Sequence, residues 1–248
     1  MSSMILLHGF TGAPDSWQQV RGNLPETLHL ETPALVGHGG GPHPDQVADF
    51  AAEVERLHAV AEHCSSPRHL VGYSLGARLA LALLVLDQHL FARATLIGAH
   101  PGLESESERT ERRQQDERWC RLLEQGDLGS FVAEWQAQPL FATQQRLPPD
   151  RLDEQRRLRL QHQPRSLCGS LRRLGLAAMP CYRDALPAIT IPVQLVFGDL
   201  DTKFAILAAE MARRLVRAEL VALGGIGHNP VLECPERLAD LLKRGIDA

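Results

Sequence analysis

Gly72-Tyr73-Ser74-Leu75-Gly76 is the stretch that decides the fold of this 248-residue chain. Residues 69–72 predict a buried strand before it, and residues 75–86 predict a helix after it. A G-x-S-x-G pentapeptide between a strand and a helix forms a turn so sharp that its serine hydroxyl is exposed on strained backbone. The same pentapeptide also occurs by chance in ordinary turns, but the flanking strand and helix favour a catalytic Ser74.

Strands and helices alternate on both sides of this turn. Short apolar runs predict strands at residues 4–7, 28–30, 69–72, 94–98, 191–197 and 219–223. Sequence patterning predicts helices at residues 14–21, 45–63, 75–86, 204–215 and 235–244. Because short strands that alternate with helices form βαβ units, we expect an α/β fold with a mostly parallel sheet.

A long insert interrupts this alternation. Residues 104–186 contain no convincing strand and consist of charged helical stretches separated by prolines. Inserts of this length that lack strands usually cover a functional site. We therefore expect the first part of an α/β core at residues 1–100, a helical cap at residues 101–188, and the second part of the core at residues 189–248.

A serine hydroxyl needs a base, and the pattern favours His228. This histidine follows the last predicted strand, so it lies at the same sheet edge as Ser74. The loop after the preceding strand offers two carboxylates to orient it, Asp199 and Asp201, and we favour Asp201 because it lies deeper in the loop. The chain order Ser, Asp, His is that of α/β-hydrolases and differs from the orders in chymotrypsin and subtilisin.

Two backbone amides are expected to complete the site. A strand that ends in His8-Gly9 places the next amide, that of Phe10, opposite the Ser74 turn. The amides of Phe10 and Leu75 then form an oxyanion hole, in which the loss of one donor typically raises the barrier by about 3–4 kcal/mol. We interpret His8 as a turn residue and do not assign it a catalytic role.

Composition excludes several classes of protein. The formal net charge of −4 argues against a nucleic-acid surface. No apolar run of about 18 residues is present to span a membrane, and the N-terminus lacks the charged region and cleavage site of a signal peptide. The five cysteines are scattered, without a CxxC motif, and are expected to be reduced and mostly buried. We expect a cytoplasmic globular protein without nucleic-acid or membrane partners, and a monomer is favoured.

The sequence contains no motif for a metal or a nucleotide. There is no HExxH, no Walker A segment and no GxGxxG that opens a first βα unit. The glycine-rich residues 37–41 lack the helix and the lysine of a phosphate loop, and we interpret them as a flexible loop beside the site. The expected chemistry therefore uses neither a metal nor a cofactor.

Longer motifs point to one family. They are Gly72-Tyr73-Ser74-Leu75-Gly76-Ala77-Arg78, Gly98-Ala99-His100-Pro101-Gly102-Leu103, Glu111-Arg112, Trp135-Gln136-Ala137-Gln138-Pro139-Leu140-Phe141 and Gly198-Asp199-Leu200-Asp201-Thr202-Lys203-Phe204. In these motifs the chain resembles the 2-succinyl-6-hydroxy-2,4-cyclohexadiene-1-carboxylate synthases of menaquinone biosynthesis, members of the α/β-hydrolase superfamily, over nearly its whole length. The usual core of that superfamily has two further strands before the His8-Gly9 strand, so we expect a shorter sheet of about six strands.

The resemblance implies a reaction and a set of site residues. The reaction is the elimination of pyruvate from 2-succinyl-5-enolpyruvyl-6-hydroxy-3-cyclohexene-1-carboxylate, which carries three carboxylates. Ser74 would remove a ring proton, His228 would relay protons, and Asp201 would orient the histidine. The oxyanion hole at Phe10 and Leu75 would stabilise the dienolate oxygen. By resemblance the substrate-binding residues are Tyr73, Arg78, Arg112, Trp135 and Arg159.

Several arginines have a physical rationale beside the resemblance. A trianionic substrate needs fixed cations, and a charge-assisted pair contributes roughly 1.5–3 kcal/mol. Arg78 lies one helical turn past Ser74 and can flank it. Taken alone, Arg112 is more typical of a solvated helix face and Trp135 of a cap core. Residues 156–159 leave open which of their three arginines faces the site.

These observations together predict a lyase with a Ser-His-Asp triad. The alternative is a carboxylesterase or C–C bond hydrolase that uses the same triad through an acyl-serine intermediate. A non-catalytic binding module of the same fold is a third possibility, which the intact triad disfavours. The cap distinguishes the first two, because an esterase for neutral lipids needs an apolar lining and a tricarboxylate lyase needs inward arginines.

Overall fold

Six parallel strands form the centre of the fold. The computed structural model describes residues 2–125 and 127–244, with strands β1 (Ser3–Leu7), β2 (His29–Glu31), β3 (Arg68–Tyr73), β4 (Arg93–Ile97), β5 (Val193–Gly198) and β6 (Ala218–Leu223). Hydrogen bonds join them in the order β2-β1-β3-β4-β5-β6. β1 and β3 are paired so that Leu7 lies opposite Gly72, and both strands therefore end beside Ser74. The expected parallel sheet of about six strands is confirmed.

Helices cover both faces of the sheet. In the described residues they are α1 (Gln18–Arg21), α2 (Phe50–Glu62), α3 (Leu75–Asp87), α4 (Glu106–Glu124), α5 (Leu128–Gln136), α6 (Pro149–Arg159), α7 (Pro164–Leu174), α8 (Thr202–Ala212), α9 (Pro230–Glu233) and α10 (Pro235–Arg244). Short 3-10 turns lie at Pro14–Trp17, Pro44–Gln46, Gln88–Leu90, Pro139–Arg146 and Arg183–Ala188. Within residues 2–125 and 127–244, no helix has both the length and the apolar character to cross a membrane.

Successive side chains of each strand point to opposite faces of the sheet and contribute to two apolar layers, one on each face. Ile5 and Leu7 belong to a layer with α2, α3 and α8, whereas Met4 and Leu6 belong to a layer with α1 and α10. α3 is buried along most of its length, which explains its apolar sequence. Because α3 packs against the centre of the sheet, its N-terminus beside Ser74 is held in place.

Helices α4 to α7 lie between β4 and β5 in the chain and have an apolar layer of their own. Its buried members are Cys120, Leu123, Phe131, Val132, Leu167, Cys168 and Leu171. Phe10, in the loop after β1, and Trp135 of α5 pack against this layer. The cap helices therefore rest on the loop that carries one predicted oxyanion amide. The limits of the cap at residues 101–188 stay a prediction.

Two predicted helix starts are wrong, because aspartates cap the helices elsewhere. The helix predicted from residue 45 begins at Phe50, where the Asp49 side chain accepts a hydrogen bond from the first turn. The helix predicted from residue 204 begins at Thr202, where Asp201 caps it in the same way. The second cap positions a carboxylate at the carboxyl edge of the sheet.

Candidate active site

Ser74 lies between β3 and α3 in a strained conformation. Its φ of 53° and ψ of −105° are rarely adopted by residues that carry a side chain. Glycine is required on both sides, because a Cβ at Gly72 would lie 2.3 Å from the Gly76 carbonyl oxygen and a Cβ at Gly76 would lie 2.1 Å from that of Leu7. The Ser74 amide donates to the Ile97 carbonyl at 2.8 Å, which ties the turn to β4.

His228 and Asp201 continue from Ser74 as a hydrogen-bonded chain. Ser74 Oγ lies 3.1 Å from His228 Nε2, and His228 Nδ1 lies 2.7 Å from Asp201 Oδ2. His228 and Asp201 are both buried, so little water competes for these bonds. An ionised carboxylate accepts from Nδ1–H, and Nε2 is then free to accept the serine proton.

The structure brings Asp201, and not Asp199, to the histidine. The second oxygen of Asp201 accepts a hydrogen bond from the Phe204 amide at 3.3 Å, which orients the carboxylate. Asp199 is exposed and accepts from the Gly225 amide at 2.7 Å. In the described part of the chain no hydrogen bond joins Asp199 to His228, so its role is to brace the loop after β6.

The amides of Phe10 and Leu75 are free donors beside Ser74. Neither donates a hydrogen bond to a group of the described chain. Leu75 is the first residue of α3, where the helix dipole contributes partial positive charge. Both residues line the same cavity as Ser74. Together they can stabilise an oxygen on which negative charge develops.

A cavity of about 390 Å³ lies between the sheet edge and the cap. Ser74 and His228 line it from the core, while Asp201 lies behind the histidine. All five residues predicted to bind substrate line this one cavity, namely Tyr73, Arg78, Arg112, Trp135 and Arg159. The glycine-rich residues 37–41 do not line it. They lie at the base of the cap, where the Gly39 amide donates to His162 at 3.2 Å.

Arg159 is the arginine of residues 156–159 that faces the cavity. Its side chain is buried, whereas Arg156 and Arg157 are exposed. Arg159 Nε donates to Thr11 Oγ1 at 3.2 Å, and its Nη1 has no partner among the described residues. Burial lowers the pKa of Arg159 to about 10, and the nearby Tyr73 hydroxyl opposes that shift. A buried guanidinium nitrogen without an acceptor is suited to bind an anion.

Arg78 and Arg112 form a second cationic region around one carboxylate. Arg78 donates to the Leu174 carbonyl at 2.8 Å, and Arg112 Nε lies 2.8 Å from Asp116 Oδ1. Desolvation lowers the pKa of Arg78 to about 9; repulsion from Arg112 adds to this effect and Asp116 opposes it. Burial raises the pKa of Asp116, against the pull of Arg112. Two guanidinium groups thus share one acid, and a net positive charge faces the cavity.

Tyr73 and Trp135 supply aromatic walls. Burial raises the pKa of Tyr73, so its hydroxyl stays protonated, and its ring centre lies 5.6 Å from that of His228. Trp135 packs in the cap core and also lines the cavity. Its Nε1 is buried without a partner among the described residues, and it is therefore a potential donor to a ligand. Trp135 therefore belongs to the cap core and also reaches the cavity, and its role in binding stays a prediction.

Sequence reasoning missed further residues of the cavity wall. Lys203 and His100 line the cavity, although both stand inside motifs quoted for the family resemblance. Burial, followed by repulsion from Arg78 and Lys203 in that order, lowers the pKa of His100 to about 3. This histidine is neutral, and the cations beside it add to the effect of burial. The spacing of Lys203, two residues after Asp201, is the signal that could have identified it.

No metal site competes with this interpretation in the part of the chain that the structure describes. Residues 2–125 and 127–244 include no group of three or more His, Cys, Asp or Glu side chains placed to hold a metal ion.

Comparison with protein families and named relatives gives a consistent result. Residues 4–241 match the model of the Alpha/beta hydrolase family. The 2-succinyl-6-hydroxy-2,4-cyclohexadiene-1-carboxylate synthase of Salmonella agona is 32% identical over 243 residues, which cover 97% of this chain and 92% of the relative. The enzyme of the same name from Citrobacter koseri is 32% identical over 242 residues, covering 96% and 91%.

Solved structures agree with these matches. MenH from S. aureus superposes with a TM-score of 0.93 at 25% identity and covers 99% of this chain and 93% of its own. A thermophilic esterase from Thermogutta terrifontis, solved with malate bound, has a TM-score of 0.85 at 24% identity and covers 100% and 90%. At that identity the esterase establishes a shared fold and no more.

Proposed function

We propose a mechanism for this chain from the premise that it belongs to the alpha/beta hydrolase family and, within it, to the 2-succinyl-6-hydroxy-2,4-cyclohexadiene-1-carboxylate synthases. We infer that it eliminates pyruvate from 2-succinyl-5-enolpyruvyl-6-hydroxy-3-cyclohexene-1-carboxylate in menaquinone biosynthesis. One observation carries this proposal: a single cavity holds the Ser74–His228 pair and three arginines, Arg78, Arg112 and Arg159.

The names of substrate and product fix the bonds that change. A proton leaves ring carbon C2, next to the succinyl ketone, and the C5–O bond to enolpyruvate breaks. In the proposed first step Ser74 passes its proton to His228 Nε2 and takes the C2 proton. Negative charge moves to the ketone oxygen, where the Phe10 and Leu75 amides bind it.

The second proposed step expels the leaving group. The dienolate collapses to the C2=C3–C4=C5 diene, and the C5–O bond breaks. His228 returns its proton to the departing enolpyruvate, which becomes pyruvate, so both Ser74 and His228 regain their starting protonation states. Asp201 holds the imidazole in the tautomer that both transfers require and stabilises its transient positive charge.

The arginines are proposed to bind the three carboxylates of the substrate. The unpartnered Nη1 of Arg159 and the net positive pair of Arg78 and Arg112 all belong to residues that line the cavity. Both Arg78 and Arg159 have pKa values lowered by burial, and a bound carboxylate would offset the cost of burying the charge.

A hydrolase reaction is the alternative use of the same residues. Ser74 would then attack a carbonyl and form an acyl-serine. The cap offers an aromatic wall from Trp119, Trp135 and Phe141, but it also turns Arg112 and Arg159 into the cavity. These charges favour a carboxylate substrate over a neutral ester, and we therefore prefer the lyase.

Pyruvate release with the purified chain tests the proposal. We expect turnover of the enolpyruvyl substrate to be at least about 10³-fold slower in Ser74→Ala, because that variant lacks the base. Pyruvate is measured by a coupled dehydrogenase assay. Normal turnover by Ser74→Ala, or brisk ester hydrolysis with no pyruvate formed, would reject the lyase.

A matched pair on α4 tests the cationic wall. Arg112→Gln is expected to lower kcat/KM about tenfold or more, because a charge-assisted hydrogen bond to substrate is lost. Arg113→Gln is the control, since Arg113 is exposed and pairs with Glu106 outside the cavity. Equal kcat/KM values for the two variants would show that Arg112 does not bind substrate and is an ordinary solvated residue of the helix.

We also propose that the chain works as a monomer in the cytoplasm. All five cysteines are free thiols, and four of them are buried. Every residue of the proposed site comes from one chain, so no partner subunit is needed to complete it. Sedimentation of the purified protein measures the oligomeric state.

A further inference from the structure

Thr11 follows the oxyanion residue Phe10 and is strained and buried. Its φ is 61°, a conformation that favours glycine, and its side chain carries two substituents on Cβ. Only 2% of the residue is exposed. Such a conformation persists only where the surrounding structure holds it.

Each polar group of Thr11 is held by a different residue. Its amide donates to His38 Nε2 at 3.2 Å, and its carbonyl oxygen lies 3.1 Å from His162 Nε2. Its hydroxyl oxygen accepts from Arg159 Nε at 3.2 Å. His38 belongs to the loop after β2, whereas His162 and Arg159 belong to the cap. Thr11 thus joins the cap to the oxyanion loop through hydrogen bonds, beside the apolar contact of Phe10.

The two histidines are suited to these roles as neutral rings. His162 Nδ1 accepts from the Gly39 amide at 3.2 Å, so Nε2–H is the donor to Thr11. His38 Nδ1 lies 3.1 Å from the Val36 carbonyl and donates to it, so Nε2 is the acceptor for Thr11. Burial lowers the pKa of both rings, which keeps them neutral near pH 7.

The bond from Arg159 to Thr11 fixes more than one atom. A guanidinium group is planar and rigid, so an acceptor at Nε sets the direction of both Nη atoms. Arg159 Nη1 is the atom without a partner among the described residues, and Arg159 lines the cavity. The Thr11 hydroxyl, together with the Phe141 ring whose centre lies 5.6 Å from Arg159 Cζ, therefore sets where this free donor points.

We propose that Thr11 is a positioning residue that couples the cap to the catalytic loop. Its hydroxyl orients the Arg159 guanidinium toward a substrate carboxylate, and its backbone hydrogen bonds hold the neighbouring Phe10 amide in the oxyanion hole. This inference rests on the proposed function, because it assigns Thr11 a part in binding the same anionic substrate.

The side-chain role can be separated from the backbone role. Thr11→Val keeps the branched shape and the backbone bonds and removes only the acceptor for Arg159. We expect KM for the enolpyruvyl substrate to rise about tenfold while kcat changes less than about threefold, since one hydrogen bond to a charged group is lost. Thr11→Ser retains the hydroxyl and should restore KM to near the wild-type value.

A double-mutant cycle identifies the route of the effect. If Thr11 acts through Arg159, then Thr11→Val combined with Arg159→Met should have the kcat/KM of Arg159→Met alone. If the losses of kcat/KM in the two single variants multiply in the double variant, the residues act independently and the proposal is overturned. The matched control is Thr95→Val, which also removes a buried threonine hydroxyl with two hydrogen-bond partners, His69 and Gln194, but lies away from the cavity. It should lower stability and leave KM unchanged.

A binding measurement separates this proposal from the proposed function. Propane-1,2,3-tricarboxylate is a trianionic probe that needs no turnover, and its Kd is measured by calorimetry across the same cycle. Coupling in Kd without any pyruvate release would reject the lyase and keep the positioning role. If pyruvate is released but the losses of kcat/KM in the two single variants multiply in the double variant, the lyase is kept and the positioning role is rejected. The positioning role would be overturned if neither kcat/KM nor Kd showed coupling between Thr11 and Arg159. Failure of the wild type to bind the probe counts as no coupling in Kd.

Discussion

The Asp201 carboxylate divides its two oxygens between the proposed triad and the start of α8. One oxygen lies 2.7 Å from His228 Nδ1, and the other caps the first turn of α8. Asp199, two residues earlier, also accepts a backbone hydrogen bond, but in an exposed loop. The sequence favours Asp201 because it lies deeper in the loop, and the structure adds that Asp201, not Asp199, is hydrogen-bonded to His228.

A pair of isosteric replacements tests this distinction. Asp201→Asn is expected to lower kcat/KM about 10³- to 10⁴-fold, because the amide favours the wrong imidazole tautomer. Asp199→Asn should stay within about threefold of the wild type, since it changes one loop hydrogen bond. Steady-state pyruvate release measures both. Similar losses in the two variants would contradict the assignment of Asp201.

The residue scale also shows why one arginine could not be selected from sequence. Arg156, Arg157 and Arg159 differ by rotation around α6, so the side that faces inward depends on how the helix is docked. In the fold Arg159 is buried and Arg157 pairs with Glu154 in solvent. Three arginines close together in the sequence therefore predict a cation in the site, but the sequence does not identify which of them it is.

At the scale of elements, the turn from β3 into α3 is the part that local sequence specifies most strongly. Gly72 and Gly76 are needed because the two ends of the turn approach other backbone closely. Helix boundaries are less well specified, since the capping side chains at Asp49 and Asp201 set the first residue and periodicity does not. Local sterics are encoded in residue type, whereas caps depend on the path of the chain before the helix.

Gly76→Ala tests the packing of this turn. The added Cβ would lie 2.1 Å from the Leu7 carbonyl oxygen, which is backbone at the end of β1 and cannot yield easily. We expect the free energy of unfolding to fall by about 3 kcal/mol, measured by urea denaturation. Gly22→Ala is the control, because its Cβ would meet atoms only at 3.5 Å and beyond. A Gly76→Ala protein as stable as the control would contradict this interpretation of the turn.

At the scale of the whole molecule, buried histidines connect loops across the fold. His8 accepts from the Leu35 amide at 3.2 Å, and its Nδ1 lies 2.9 Å from the Gly9 carbonyl. Burial lowers the pKa of His8 to about 4 from 6.5, and burial lowers that of His69 to about 3. Protonation would place a second N–H of His8 against the Leu35 amide and would bury a charged His69 near Arg93, so folding favours neutral rings.

The sign of the pH dependence follows from these shifts. Because the folded pKa is below the unfolded one, the unfolded chain binds more protons between pH 6.5 and 4, and acid favours unfolding in that range. We expect the contribution of these histidines to the free energy of unfolding to be constant above pH 6.5 and to decrease as the pH falls to 4. The His8 shift alone corresponds to about 3 kcal/mol.

Replacing one ring isolates its share of this dependence. His69→Leu removes the titrating group, so its unfolding free energy should fall less steeply with acid than that of the wild type. Urea denaturation at several pH values between 7 and 4 measures both slopes. Identical slopes would show that His69 does not contribute, and a flat wild-type profile would contradict the requirement for neutral rings.

The sequence by itself determined the parallel α/β sheet, the helical character of the segment between β4 and β5, and Ser74, His228 and Asp201 as the candidate triad. Periodicity and glycine sterics act over a few residues, and the order of strand ends in a parallel sheet brings Ser74, Asp201 and His228 to one edge. Only the tertiary structure decided that Arg159 faces the cavity, that Arg112 and Arg78 share Asp116, and that Thr11 joins the cap to the oxyanion loop. These features depend on how the cap docks on the sheet, because docking sets which side of α6 faces inward and brings Arg78 near the Arg112–Asp116 pair, and no local pattern encodes it.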